Sequence, residues 1–278
     1  MNYHDSERAK SVASRVEHFM DEVVIPREQR ALANGDLISK DELEDLWEMA
    51  KERELFAPQM PEEYGGQGLK FRDMLPSFEQ VGRSLVGALA IRAHAPQEGN
   101  MHTLEMAGTE AQKEAWLRPL VEGDISSGFS MTEPMQGGGS DPKMLQTTAV
   151  KDGDEWVING HKWWTTDGYD ADFLLVMART DLDAHPYEGT SIILVPSDTD
   201  GVTVVRNLEH VNGHVLTEAA GGSAEIKYDD VRVPIENTIG EEGAGFTVAQ
   251  RRLAGGGSRT VCGLAGWRNV RSISRRPT

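Results

Sequence analysis

The sequence holds a single cysteine, Cys262, and aromatic residues make up only 6% of its 278 residues. One cysteine excludes an internal disulfide and favours a reducing compartment. Its longest apolar runs, Phe173 to Ala178 and Ile192 to Val195, have strand length and fall far short of the roughly 18 residues that cross a bilayer. The polar, charged first residues do not resemble a secretory signal. We therefore expect a cytoplasmic protein without a membrane span.

Basic residues are also scarce, at 28 against 45 acidic residues, which gives a net charge of −17. Such a surface repels phosphates, so we expect no nucleic-acid partner. Two explanations of the charge stay open. The acidic surface either serves solubility alone, or it belongs to a halophilic protein from a salt-rich cytoplasm, where salt screens its self-repulsion.

The first part of the chain has the periodicity of helices. Between Ser6 and Arg30, apolar residues recur at helical spacing. Two further helices begin at capping boxes, in which a Ser or Thr side chain and a Glu or Gln three residues later satisfy free backbone amides. These boxes are Ser39 with Glu42 and Thr109 with Gln112. A last helix is expected from Gly243, with Phe246, Ala249 and Leu253 on its apolar face.

The middle of the chain predicts short strands separated by Gly-, Asp- and Pro-rich turns. Asp152-Gly153 is a hairpin signal, and Asn159-Gly160 is interpreted as a second turn. This pattern favours an antiparallel β-barrel or sandwich, and the absence of strand–helix alternation argues against a parallel dinucleotide-binding sheet. The predicted strands are 147–151, 155–158, 162–166, 173–178, 191–195, 202–205 and 224–228.

Four stretches of sequence resemble the acyl-CoA dehydrogenase family. Residues 129–134 read Phe-Ser-Met-Thr-Glu-Pro and precede a Gly-rich loop and Ser-Asp, similar to T-E-P-x-x-G-S-D but two residues longer. Residues 158–168 read Ile-Asn-Gly-His-Lys-Trp-Trp-Thr-Thr-Asp-Gly, similar to N-G-x-K-x-W-x-T-x-G. Residues 231–246 resemble V-R-V-P-x-E-N followed by G-x-x-G-x-G-F, and 108–120 resemble a family helix. Four motifs in order over residues 6–250 are far more specific than one.

The resemblance implies an FAD-dependent oxidoreductase of fatty acid metabolism. Such an enzyme removes a proton from Cα of an acyl-CoA thioester and passes a hydride from Cβ to flavin N5. It implies electron-transferring flavoprotein as the electron acceptor and a homo-oligomeric assembly. Two alternatives stay open: an acyl-CoA oxidase or flavin monooxygenase of the same fold, and a non-catalytic, truncated remnant of the family.

The same resemblance assigns the ligand-binding residues. Thr132 would hydrogen-bond the pyrimidine edge of the flavin, Trp164 would pack against the ring, and Thr166 would hydrogen-bond near N5. Ser140 would lie near the pantetheine and thioester of the substrate, whereas Glu133 is expected to be structural. The residues expected at the cofactor are Phe129, Met131, Thr132, Trp164 and Thr166.

Two other patterns predict no site. His210 and His214 have the spacing of metal ligands on a helix, but their context predicts a turn and no further ligands cluster nearby, so no metal is expected. Glycines 137–139 lack the Lys-Ser or Lys-Thr that completes a phosphate-binding loop.

The end of the chain departs from the family. The resemblance places the catalytic Glu in a C-terminal helical domain, so no catalytic base is assigned to this chain. After Glu242 there is no Asp or Glu, whereas seven arginines follow. From this break and the arginine-rich tail we hypothesise a shift of reading frame near residues 254–266; deliberate truncation or loss of the domain stays open as the alternative. We predict an α+β multidomain protein with an N-terminal helical domain at 1–122, a middle antiparallel β domain at 123–242, and a truncated start of the C-terminal helical domain at 243–278.

Overall fold

The computed structural model describes residues 5–134, 138–208 and 222–254. Within them the chain forms two compact units: the first ends at His94, and the second begins at Ala95 and extends to Leu253. None of the helices in these ranges is long and apolar enough to cross a membrane. The predicted division at residues 122 and 242 remains a proposal about domain organisation.

The first unit is helical. Ser6 caps the first helix by accepting a hydrogen bond from Ala9 N, and a π-helical turn, Met20–Val24, joins it to the second. The predicted capping box of Ser39 and Glu42 is confirmed. Each helix buries one apolar face, and this burial contributes most of its stability. The helices are α1 (Glu7–Phe19), α2 (Ile25–Asn34), α3 (Lys40–Glu52), α4 (Phe71–Val81) and α5 (Gly87–Ala90).

The second unit contains further helices packed with a sheet. The capping box of Thr109 and Gln112 is confirmed at the start of a helical stretch that continues through a π-helical turn, Lys113–Leu117. The helix Gln97–Ala107 is unusual because several of its buried side chains are polar. The helices are α6 (Gln97–Ala107), α7 (Glu110–Gln112), α8 (Arg118–Glu122) and α9 (245–254).

The sheet has seven strands in the order β1-β4-β2-β3-β7-β6, with β5 on β4. Most pairs are antiparallel, as predicted, but β1 and β2 both pair with β4 in parallel. Parallel neighbours need a crossover connection, and the intervening β2–β3 hairpin supplies it between β1 and β4. The strands are β1 (Ser127–Ser130), β2 (Thr148–Asp152), β3 (Glu155–Thr166), β4 (Phe173–Arg179), β5 (Thr190–Pro196), β6 (Val202–Leu208) and β7 (Ser223–Pro234).

One predicted turn is confirmed and one is wrong. Asp152 and Glu155 pair across the hairpin at Asp152-Gly153. Asn159 and Gly160, in contrast, lie inside the continuous strand β3, where the register with β7 shifts. Gly160 serves close packing there, because a Cβ atom would lie 2.3 Å from Thr147 Oγ1. The glycine therefore marks an irregularity within a strand and not a chain reversal.

Candidate functional site

Two segments that the sequence motifs singled out meet at the junction of β1 and β3. The carbonyl of Thr132, just after β1, accepts a hydrogen bond of 3.0 Å from the backbone N–H of Trp163 on β3. The ammonium of Lys162 donates to the carbonyl of Met131, also at 3.0 Å. Segments 129–132 and 163–166 therefore form one structural element, although thirty residues separate them in the chain.

A buried cluster of hydroxyl groups joins the same segments from the side of the core. Ser130 Oγ lies 3.1 Å from Thr165 Oγ1 and 2.9 Å from the hydroxyl of Tyr228 on β7. Burial raises the pKa of Tyr228, so this phenol remains a neutral hydrogen-bonding group. The approach of β1 to β3 also depends on Gly128, because a Cβ atom there would lie 3.0 Å from Thr165 Cγ2.

Glu133 and Lys162 form a buried ion pair directly behind these segments. Lys162 Nζ lies 2.9 Å from Glu133 Oε1, and Glu133 also accepts from the backbone amides of Gln146 and Thr147. Desolvation lowers the pKa of Lys162 to about 8, although the Glu133 charge acts in the opposite direction. The carboxylate is thus fully engaged within the protein, which agrees with the structural role expected for Glu133.

Trp164 stands out from the strand that carries it. Its side chain is 44% exposed, and its backbone adopts a left-handed conformation with φ of 54°. It lies where the register of β3 against β7 shifts, between Lys162 and Thr165. A bulky residue with positive φ is a strained conformation of the kind that concentrates at functional sites. The register shift of β3 thus coincides with a partly exposed indole.

Two threonines beside this indole have hydroxyls available for a ligand. Thr132 and Thr166 are half-buried, and in the part of the chain that the structure describes neither hydroxyl makes a hydrogen bond. The indole N–H of Trp163 is buried and likewise has no acceptor there. An aromatic surface next to unused hydroxyls and backbone amides suits a flat heteroaromatic ligand with polar edges.

Comparison with known proteins identifies the family. The family model for the "Acyl-CoA dehydrogenase, N-terminal domain" matches residues 6–124, and the model for the "Acyl-CoA dehydrogenase, middle domain" matches residues 128–231. A solved structure from Mycobacterium abscessus, classed with the acyl-CoA dehydrogenases, is 34% identical with a TM-score of 0.83 over 96% of this chain and 68% of its own. The chain belongs to the acyl-CoA dehydrogenase family.

Other relatives agree and show how much of the family length is present. "Probable acyl-CoA dehydrogenase FadE2" of Mycobacterium tuberculosis is 40% identical over 92% of this chain, which spans 63% of that relative. A structure of the glutaryl-coenzyme A dehydrogenase glutaryl-CoA complex is 26% identical with a TM-score of 0.80, covering 97% of this chain and 66% of that one. The chain thus spans less than two thirds of the FadE2 relative. The predicted fold class is confirmed as the helical and β domains of acyl-CoA dehydrogenases.

The residues that the family motifs nominate for FAD fall into one cluster. Phe129, Met131 and Thr132 lie on or just after β1, and Trp164 and Thr166 lie on the adjoining end of β3. The residues present fit a flavin: Trp164 offers an indole that is partly exposed, and the hydroxyls of Thr132 and Thr166 have no protein partner among the described residues. The ring of FAD needs both a stacking surface and hydrogen-bond donors at its rim.

Ser140, the residue nominated for the substrate, lies outside this cluster in an exposed turn of residues 138–140. The turn is attached to the site, because the carbonyl of Gly139 accepts a hydrogen bond of 3.0 Å from the backbone amide of Glu133. His210 and His214 lie outside the described residues. Among the residues that are described, no group of three or more His, Cys, Asp or Glu side chains could hold a metal ion.

Sequence reasoning overlooked the polar residues that support the site. Lys162 is part of the N-G-x-K motif, so the motif itself was a signal, but the residue was not assigned a role. No sequence signal pointed to Ser130, Thr165 or Tyr228, because only the tertiary fold brings these residues together. Arg252 was also missed, since the expected apolar face of α9 placed Leu253 inside. That expectation is wrong: Leu253 is 45% exposed, and Arg252 packs on Phe129.

Proposed function

We propose that this chain carries the FAD- and acyl-CoA-binding part of an acyl-CoA dehydrogenase. The observation that carries the proposal is the cluster at the β1–β3 junction, where Trp164, partly exposed and with a left-handed backbone, adjoins the hydroxyls of Thr132 and Thr166, which make no hydrogen bond among the described residues. FAD bound there would supply the acceptor for the hydride that leaves Cβ of the thioester. The substrate class, acyl-CoA, and the acceptor, electron-transferring flavoprotein, follow from the family resemblance.

The residues of this chain would bind and orient the reactants. Trp164 would cover one face of the ring, while Thr132 and the segment 129–132 would hydrogen-bond its pyrimidine edge. Thr166 would donate its hydroxyl near the acceptor atom and so stabilise charge that develops there. Ser140 would contact the pantetheine near the thioester. The family assigns proton abstraction to a Glu of its C-terminal helical domain, so no residue of this chain is proposed as the base.

A flavin titration tests the binding part of the proposal. FAD added to the purified chain should bind with quenching of flavin or tryptophan fluorescence, and the bound flavin should show a visible spectrum distinct from free FAD. The Thr132→Ala and Thr166→Ala variants should weaken binding, whereas Thr199→Ala, outside the site, should not. Failure of the unaltered, folded chain to bind FAD would contradict the proposal.

Anaerobic addition of an acyl-CoA then tests turnover. Bleaching of the flavin band would establish that the chain oxidises thioesters. A bound flavin that acyl-CoA leaves oxidised would support a binding function without dehydrogenation. Reaction of the reduced flavin with air, compared with its reaction with electron-transferring flavoprotein, separates a dehydrogenase from an oxidase of the same fold.

A further inference from the structure

Beside the proposed flavin segment, α9 directs a positive charge against α6. The guanidinium of Arg252 is stacked over the ring of Phe129, with 4.1 Å between Cζ and the ring centroid. The backbone of α6 also approaches the guanidinium closely, because a Cβ atom on Gly99 would lie 2.8 Å from Arg252 Cζ. Only a glycine at position 99 leaves room for the guanidinium where it lies.

The hydrogen bonds of Arg252 leave part of the guanidinium unused. Nε donates to Asn100 Oδ1 at 3.1 Å, and Nη2 makes a long contact of 3.5 Å with the carbonyl of Pro96. A guanidinium has five N–H donors, and Nη1 has no hydrogen-bond partner among the described residues. The orientation of Asn100 is itself fixed, because its Nδ2 donates to Ser127 Oγ at 2.9 Å.

No carboxylate within the described ranges lies within 4 Å of this guanidinium. Desolvation lowers the pKa of Arg252 to about 10, and no neighbouring charge offsets that effect. A desolvated cation without a counter-charge destabilises the folded state. Such a group is a candidate for interaction with an anionic ligand.

The side chains behind Arg252 are also polar. The side chains of Gln97, Asn100 and Ser127 are fully or almost fully buried and bonded to one another. An alkyl group packed here would leave the Arg252 charge desolvated and unpaired, which is costly. An anionic group would instead receive charge-assisted hydrogen bonds.

We propose that Arg252 determines specificity by binding an anionic oxygen, such as a carboxylate, on the acyl part of the substrate remote from the thioester. The inference rests on the proposed function. The guanidinium contacts the face of the Phe129 side chain and not the backbone atoms of β1 assigned to the flavin. Because Phe129 is itself one of the residues assigned to the flavin, FAD binding by Arg252→Met without thioester separates the acyl group from FAD as the source of the anion.

Calorimetric titration of the FAD-loaded chain with paired CoA thioesters tests the inference. Glutaryl-CoA and pentanoyl-CoA have acyl chains of equal length and differ in a terminal carboxylate; adipyl-CoA and hexanoyl-CoA form a longer pair. The dicarboxylic thioester of at least one pair should bind more tightly to the unaltered chain. Arg252→Met should weaken its binding roughly ten- to hundredfold and leave its uncharged partner nearly unaffected. Arg251→Met, at the exposed neighbouring position, is the matched control.

Thermal unfolding of the ligand-free variants excludes a merely structural role. Arg252→Met should not lower the melting temperature, because it removes an uncompensated charge, and Arg252→Lys should retain part of the preference for the dicarboxylic thioester. Equal binding of both thioesters by the unaltered chain would overturn the inference while leaving the proposed function intact. Weaker FAD binding by Arg252→Met without thioester would reassign the cation to the flavin and overturn it too. Binding of no thioester would contradict both.

Discussion

The ammonium of Lys162 lies 2.9 Å from a carboxylate oxygen of Glu133, and the two side chains are 0% and 3% exposed. The pair joins β3 to the segment that follows β1, and the same ammonium also holds the carbonyl of Met131. Because an unpaired charge is costly in the interior, the pair favours one arrangement of the two segments that we assign to the flavin. Alternative packings of these segments would leave a buried ion without its partner.

Breaking this ion pair should strongly destabilise the fold. Lys162→Met leaves Glu133 buried without its cation, and we expect the free energy of unfolding to fall by about 3–5 kcal/mol. Urea denaturation measures the loss. Lys151→Met removes a pair of largely exposed groups with Glu242, and its effect should be much smaller. Equal losses in the two variants would show that burial does not govern the Lys162 pair.

The buried carboxylate should also contribute to the loss of stability in acid. Desolvation alone would raise the pKa of Glu133, but the charge of Lys162 and the hydrogen bonds it accepts outweigh this, and its pKa lies below the ordinary value of 4.5. As the pH falls below about 4.5, the unfolded chain therefore binds a proton before the folded chain does. The contribution of Glu133 is present above this range and disappears as the pH falls through its folded pKa.

Glu133→Gln should consequently show a shallower dependence of unfolding free energy on pH between about pH 3 and about pH 5. Urea titrations at several pH values measure the slope. The variant will be less stable throughout, so the slope and not the absolute stability is the test. Glu44→Gln, whose partner Lys40 lies 3.9 Å away on the surface, provides the comparison. A slope identical to that of the unaltered chain would contradict the prediction.

Trp164 should report FAD binding directly. Removal of its partly exposed indole by Trp164→Ala should weaken FAD binding roughly three- to tenfold, the range expected for loss of one aromatic stacking contact. Trp164→Phe should retain part of the affinity. Tyr169→Ala removes an aromatic side chain that is 54% exposed and is the control for a general loss of surface aromatics. Unchanged FAD affinity in Trp164→Ala would exclude stacking on this residue.

The charge of −17 should make stability dependent on salt. Raising KCl from about 0.1 M to about 1 M shortens the Debye length from about 10 Å to about 3 Å and screens repulsion between acidic side chains. We expect the melting temperature, followed by circular dichroism, to rise over this range. Sucrose at equal osmolality controls for solute exclusion. A melting temperature that is flat in KCl would mean that the acidic surface serves solubility alone.

Local sequence determined much of the fold. The capping boxes at Ser39 and Thr109 and the hairpin at Asp152-Gly153 formed where predicted, because their hydrogen bonds join residues only a few positions apart. The family motifs singled out residues that the fold brings together at the β1–β3 junction, and their assignment to FAD stays a prediction. The family assignment was therefore accessible from the sequence.

Tertiary structure alone decided the rest. Asn159-Gly160 has the composition of a turn, yet pairing with β7 keeps it within a strand, where the missing Cβ accommodates Thr147. Lys162 and Arg252 have the composition of surface residues, but Lys162 is buried and Arg252 is partly buried, because Glu133 and the Phe129 ring meet them from distant parts of the chain. Hydrophobic periodicity predicts the burial of each residue from the polarity of its own side chain. Whether a charge can be buried depends on which partner the fold brings to it.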